Sequence, residues 1–472
     1  MDTYHSATIR GAKLHANHPY SATNLQNLTG SRRRVKFSIH RQYQRIALLL
    51  LSLIVAVNAV AANPSSTATA IFAPSFRTLK ITNPDNFMAP PVIRMNSADR
   101  LVVTFDEIAE DHRDLQYRLL HCNADWQPSR LVESEYLDGF NIADIEDFAY
   151  SENTFVHFVN YRIIIPEEGM LPLVSGNYLL QVFERDAPDD TILQVRFMVS
   201  EDLTSLSGGS TPRTDMGHNA EWQQLDFAVS LPDLKGANPY QDIIISMVQN
   251  GSEITRRTLT RPQRVEGSTL FYQHLPELLF PAGNEYRRFE SVSNGFAGMN
   301  VDSLRYGGSN YHVWLKKDSP RALRSYEYDS TQHGRFLVRE YNATDSDLGA
   351  DYITVNFLLD LPEQRGVDIY VDGEMTDNRF DSSNRMVYNP EKRAYRLALP
   401  LKQGAYNYRY LAVPANTSPV ADSSKPFTTH GLLAPTALVE GNKYETSNEY
   451  WVGVYYRPAG ARADRLIGFK TL

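Results

Sequence analysis

The sequence predicts an all-β protein built from tandem sandwiches, and three observations predict it. No apolar pattern at helical spacing lasts three turns. Short runs rich in Val, Ile, Tyr and Phe instead recur every eight to fifteen residues between clusters of Gly, Pro, Asn and Asp. The chain has 472 residues, more than one core can hold, and about 150 residues per domain gives about three domains. A composition that is 42% apolar and 11% aromatic excludes long disorder for most of it.

The leader comes first. Residues 1–61 carry eight Lys/Arg and one acid, a net +7; a basic cluster, Arg32-Arg33-Arg34-Val35-Lys36, runs through Arg41 and Arg45 into twelve uncharged residues, Ile46–Val57. Ala59-Val60-Ala61 is the small-x-small pattern of a signal-peptidase site, which places cleavage between Ala61 and Ala62. Twelve apolar residues are too few to cross a hydrocarbon core of about 30 Å as a helix. The remaining 411 residues hold 39 basic and 54 acidic groups, a net −15. Such a body lacks the clustered Lys/Arg that nucleic acid or an anionic membrane surface requires.

A short mature N-terminal segment, residues 62–78, precedes the first sandwich, residues 79–200. Its strands are read at Leu101–Phe105, Leu115–His121, Phe155–Ile165, Asn177–Glu184 and Ile192–Ser200, with breaks at Pro166 and Ser175-Gly176. Residues 201–220, with Ser205-Leu-Ser-Gly-Gly-Ser-Thr-Pro212, have linker composition. A middle β domain over 221–345 follows, with strands at Trp222–Leu231, Asp242–Gln249, Thr269–His274, Tyr286–Ser291, Tyr311–Lys316 and Arg335–Tyr341. A third sandwich, 350–472, opens on the alternating run Asp351–Asp360 and stays strand-like through Tyr450–Arg457 and Leu466–Phe469.

Motifs for chemistry are absent. The glycine pairs Gly208-Gly209 and Gly307-Gly308 are followed by neither Lys-Ser/Thr nor a helix, so no nucleotide site is expected. Twelve His and one Cys form no zinc spacing, and the acid clusters match no Ca²⁺ loop register, so neither metal nor cofactor is expected. Cys122 is alone, which excludes an intramolecular disulfide; its neighbour His121 points to the opposite face of a strand, so a buried structural thiol is expected. Tyr406, Tyr408 and Tyr410 share one strand face, as do Tyr450, Val452, Val454 and Tyr456. Such rows stack sugars or fill a core, and core filling is the expectation.

Five ordered phrases resemble one family. They are His121-Cys-Asn-Ala-Asp-Trp126, Glu135-Tyr-Leu-Asp-Gly-Phe140, Pro281-Ala-Gly-Asn-Glu-Tyr-Arg-Arg-Phe289, Met386-Val-Tyr-Asn-Pro-Glu-Lys-Arg-Ala-Tyr395 and Tyr455-Tyr-Arg-Pro-Ala-Gly-Ala-Arg-Ala-Asp-Arg-Leu-Ile-Gly468. Together they resemble the plug protein of the bacterial type IX secretion system, from about Leu79 to the C-terminus. The resemblance implies a periplasmic, non-enzymatic protein, monomeric before docking, that closes the large outer-membrane translocon barrel while no substrate is exported. The third sandwich also resembles immunoglobulin-like, early-set modules of the glycogen-binding type, through Val367–Asp377, Met386–Tyr395 and Gly404–Tyr410. Sugar-binding members carry a Trp just after the first of these segments, where this chain has Asn378-Arg379. A periplasmic or surface carbohydrate-binding protein is the alternative reading, and a glycoside hydrolase with accessory sandwiches a third.

The expected docking residues are Tyr136, Leu137 and Phe140, because Leu137-Asp138-Gly139-Phe140 sits in a loop-like stretch where apolar side chains need a reason. The bland explanation is that Tyr136 and Phe140 fold back to cap the first sandwich.

Overall fold

A computed structural model describes residues 66–215, 219–231, 234, 237–415 and 434–472. The leader and the cleavage site at Ala61 and Ala62 lie outside the described residues. The segment Asn63–Leu472 forms one compact unit.

Short runs rich in Val, Ile, Leu, Tyr and Phe build the first sandwich. One sheet runs β2 (Phe76–Thr82), β4 (Leu101–Glu107), β9 (Val159–Ile165), β8 (Phe148–Tyr150). The other runs β1 (Ala70–Ile71), β12 (Ala187–Ser200), β11 (Gly176–Glu184), β5 (Leu115–Cys122), β7 (Ala143–Asp144), with β3 (Val92–Arg94) parallel to β12. Their inner faces close over Phe105, Tyr117, Tyr161, Tyr178, Val195 and Phe197. Burying each such side chain is worth roughly 1.5–3 kcal/mol, which makes this core the main source of the domain's stability. The ribbon of β6 (Leu137–Gly139) and β10 (Met170–Pro172) packs Leu137 and Met170 into this core.

The second sandwich departs from the expected division. Residues 201–220, expected to be a linker, contain β13 (Ser205–Thr211), which pairs residue for residue with β14 (Trp222–Ser230). The glycine that gave the stretch its linker look has a structural reason. A Cβ on Gly208, at φ +136°, would sit 2.2 Å from the Asp226 carbonyl oxygen. The sheet is completed by β17 (Arg264–Glu266), β18 (Thr269–Tyr272) and β19 (Leu279–Pro281). The facing sheet runs β16 (Arg257–Leu259), β15 (Ile243–Gln249), β29 (Tyr450–Tyr456), β30 (Arg465–Thr471). The last two strands therefore belong here and not to a third sandwich over 350–472. Ile245 pairs with Val454, and Tyr450, Val452, Val454 and Tyr456 all face this core.

The strands between them form the third sandwich. Its larger sheet is β21 (Val301–Tyr306), β22 (Tyr311–Leu315), β24 (Tyr352–Leu359), β27 (Ala394–Lys402), β26 (Val387–Asn389). The opposing sheet carries β20 (Arg287–Ser291), β23 (Phe336–Val338) and β25 (Val367–Asp372) on β28 (Gly404–Pro414). Strands β20 to β23, expected in a middle domain over 221–345, thus sit in the third core, where Phe289, Val313 and Phe336 pack with Val355, Phe357 and Tyr406. The chain leaves the second sandwich after Pro281 and returns to it at Tyr450, so the third is an insertion that sequence order alone does not reveal.

Candidate docking site

The three sandwiches brace one another pairwise. Between the first and second, the outer face of β5, β11 and β12 offers Cys122, Leu179 and Met198 to Tyr455 and Leu466. Tyr455 donates to Asn177 Oδ1 at 2.7 Å, and Asn177 Nδ2 donates to the Asn123 carbonyl at 2.7 Å. The Ala124 amide donates to Asp464 Oδ2 at 2.9 Å. Two of the five phrases that carry the resemblance, His121–Trp126 and Tyr455–Gly468, are therefore the two sides of one joint. Burial pushes the Cys122 thiol up to about 12. His121 turns the other way, with Nε2 3.1 Å from the Ser175 carbonyl oxygen, so the adjacent pair shares no chemistry.

The second and third sandwiches are joined by two chain crossings that hydrogen-bond to each other. Asn448 Nδ2 donates to the Ala282 carbonyl at 2.7 Å, and Lys443 N donates to the Gly283 carbonyl at 2.7 Å. Glu285 accepts from Tyr326 Oη at 2.7 Å and from the Ser447 amide at 2.9 Å. A third phrase, Pro281–Phe289, supplies this joint. Beyond it Arg287 bonds Glu440 at 3.0 Å and Asp318 at 2.7 Å. Burial alone would raise the Glu440 carboxyl, but Arg287 and Arg321 outweigh it and hold it at about 2.

The first and third sandwiches also meet. Lys402 Nζ lies 2.7 Å from Asp106 Oδ2, which also accepts from Tyr352 Oη at 2.6 Å. Asp351 accepts from the amides of Phe155 and Val156, both at 3.1 Å. Residues of all three sandwiches line a half-open cavity of about 530 Å³, among them Trp126, Arg196, Glu253, Trp451, Arg335 and Arg379. Asn378 and Arg379, at the place where a sugar-binding early-set module carries its Trp, face this cavity, and Arg379 Nη1 donates to the Ile71 carbonyl at 3.1 Å. One edge of this surface is thereby tied to first-sandwich backbone. Tyr406, Tyr408 and Tyr410 are buried in the third core. Among the described residues no group of three His, Cys, Asp or Glu is arranged to hold a metal ion.

The expected docking residues separate. Tyr136 and Leu137 are 4% and 3% exposed and belong to the first core, so they are no surface. Tyr136 Oη donates to the Leu119 carbonyl at 3.1 Å. Phe140 is 86% exposed. It is held there, because the ribbon pinches at Gly139, where φ is +102° and a Cβ would lie 1.8 Å from the Gly169 oxygen. The Phe140 amide donates to that oxygen at 3.0 Å, and the next residue, Asn141, is buried and accepts from the Leu119 amide at 2.9 Å. Anchored on both sides, Phe140 cannot fold back without breaking the ribbon. Sequence reasoning missed the neighbours Ile142, Leu171 and Leu173, which are also exposed. The Gly169-Met-Leu-Pro-Leu173 run was the available signal.

Compared with protein families, residues 76–201 match the first domain of the type 9 secretion system plug protein. The chain belongs to the type 9 secretion system plug protein family. This plug-family chain also matches the crystal structure of a hypothetical protein from Parabacteroides merdae ATCC 43184, at 35% identity and a TM-score of 0.81, over 86% of this chain and 98% of that one. Both the fold and the arrangement of its domains are therefore those of a solved relative. Alpha-2-macroglobulin from Escherichia coli aligns at 10% identity over 85% of this chain and 24% of its own, with a TM-score of 0.16, which carries no argument. No curated protein matches. Membership of the family gives a role connected with type 9 secretion. Among the described residues no helix is long and apolar enough to cross a membrane.

Proposed function

We propose that this chain is a non-enzymatic periplasmic plug, which docks on the outer-membrane translocon of the type 9 secretion system and closes it while no substrate is exported. The observation that carries this reading is the bracing of three sandwiches into one body by three buried joints, in a chain of the plug family. Blocking a wide pore asks for a shape that holds and a surface that adheres, and not for chemistry. Cleavage between Ala61 and Ala62 delivers the chain to the periplasm. It is a monomer until it docks, and Phe140 is the residue through which the first sandwich makes contact. An interface that must open during export is of moderate affinity, with lifetime set by dissociation.

Affinity capture of the tagged chain from solubilised outer membranes of its own host, with mass spectrometry of what comes with it, tests the proposal. Recovery of one very large barrel protein is expected. Recovery of the bait alone, with glycans retained instead, would remove the plug reading in favour of carbohydrate binding.

A further inference from the structure

The ribbon that presents Phe140 carries more than one apolar residue. Val132, Ile142, Leu171 and Leu173 are from 40% to 59% exposed. All belong to the same local structure. Leu171 lies on β10, paired with Asp138 of β6; the Leu173 amide donates to the Tyr136 carbonyl at 2.8 Å, and Ile142 follows the anchored Asn141. The buried Tyr136, Leu137 and Asn141 hold this group from beneath. A cluster of this kind, built on fixed backbone, costs little side-chain entropy to bury against a partner.

Its surroundings are acidic. Residues 131–174 hold nine Asp and Glu against one Arg and no Lys, and of the nine Glu135 is paired with Arg462 and Asp144 with Arg185. Asp138 and Glu168 flank the apolar group directly, are exposed, and have no ion-pair partner among the described residues. Glu167 and Glu133 extend the border. A negative border repels anionic lipid headgroups and is complementary to a Lys/Arg-bordered protein surface.

We infer that the β6–β10 ribbon is the docking tip of the chain, and that its partner is a protein socket with an apolar floor bordered by Lys and Arg on the periplasmic rim of the barrel. This deepens the plug reading and rests on it. Phe140 and Leu173 supply the anchors, while Asp138 and Glu168 steer the approach and suppress binding to basic-poor surfaces.

The test uses the full tagged chain expressed in its own host, with the barrel quantified in what it captures. Phe140→Ser should lower recovery of the barrel about tenfold, the scale of a lost interface anchor. Asp138→Lys combined with Glu168→Lys should slow association, and the wild-type rate should fall as salt rises from about 50 mM to about 500 mM. Leu323→Ser, on an exposed position of the third sandwich, should change nothing. All these side chains are exposed, so melting temperatures should match the wild type, and a variant that melts early is replaced by Leu173→Ser. If the wild type recovers the barrel and the tip variants recover it equally well, the tip is overturned while the plug reading stands. If the wild type recovers no barrel, both fall. A dimer of the chain in sedimentation that Phe140→Ser dissolves would assign the tip to a second copy and overturn the socket.

Discussion

Lys402 and Asp106, 296 residues apart in sequence, meet Nζ to Oδ2 at 2.7 Å, each 1% exposed, where the first sandwich touches the third. The Asp106 carboxylate is fully engaged, since Tyr352 donates to the same oxygen at 2.6 Å and Asn160 Nδ2 to the other at 2.7 Å. Lys402 Nζ also lies 4.0 Å from the centre of the Phe158 ring. Removing one partner of such a pair leaves the other charged and buried, at a cost of about 3–5 kcal/mol. Lys402→Met should therefore lower the urea midpoint strongly, and adding Asp106→Leu should recover part of the loss, the remainder reflecting the Tyr352 and Asn160 donors it leaves without their acceptor. Equal loss in single and double variants would deny that this pair is coupled.

Acid should loosen the third sandwich through Glu440. Its carboxyl is held at about 2 against an ordinary 4.5, so the stability it supplies is full above pH 4.5 and is lost as pH falls through about 2. Glu440→Gln should destabilise the chain at neutral pH and flatten the decline in urea midpoint over that acid range. An unchanged decline would place the acid sensitivity elsewhere.

Asp377 works in the opposite sense. Burial, with help from Glu374 and Asp381 and against Arg379, raises its carboxyl from 3.8 to about 7. The folded state therefore favours the protonated form, and the stability linked to it is full below pH 3.8 and lost as pH rises through about 7. Asp377→Asn should raise the melting temperature at pH 8 and leave it nearly unchanged at about pH 4. A loss at pH 8 would contradict the shift.

Cys122 reports on the joint between the first and second sandwiches. Its thiol is buried and raised to about 12. Iodoacetamide at about pH 8 should leave the native chain unlabelled and label it fully in denaturant. Tyr455→Ala, which removes the ring packed beside Cys122 and the bond to Asn177, should admit label without denaturant. Continued protection in that variant would show that Tyr455 does not seal the joint.

Strand positions were legible in the sequence because short apolar runs stand between turn residues, some of them alternating; Leu101–Glu107, Leu115–Cys122 and Tyr352–Leu359 stand where such runs place them. Membership in a sandwich was not. Tyr450–Tyr456 has the same pattern whichever core it faces, and its pairing with Ile243–Gln249 is a contact across about two hundred residues that no local signal encodes. Gly208 misled for a related reason, since composition cannot distinguish a glycine that frees the chain from one that another strand's carbonyl forces. The docking residues divided similarly. The Leu137-Asp-Gly-Phe140 stretch announced an unusual loop, but which apolar side chain turns inward depends on the pinch at Gly169, thirty residues away. The phrases that carry the family resemblance fell largely at joints, where residues are constrained from two sides at once.

The central claim is that the chain closes a pore, and conductance measures this directly. The purified barrel of the type 9 system, reconstituted in a planar bilayer, should conduct when alone. Adding the processed full chain from the periplasmic side should abolish most of that current. Conductance unchanged at saturating chain would contradict the account.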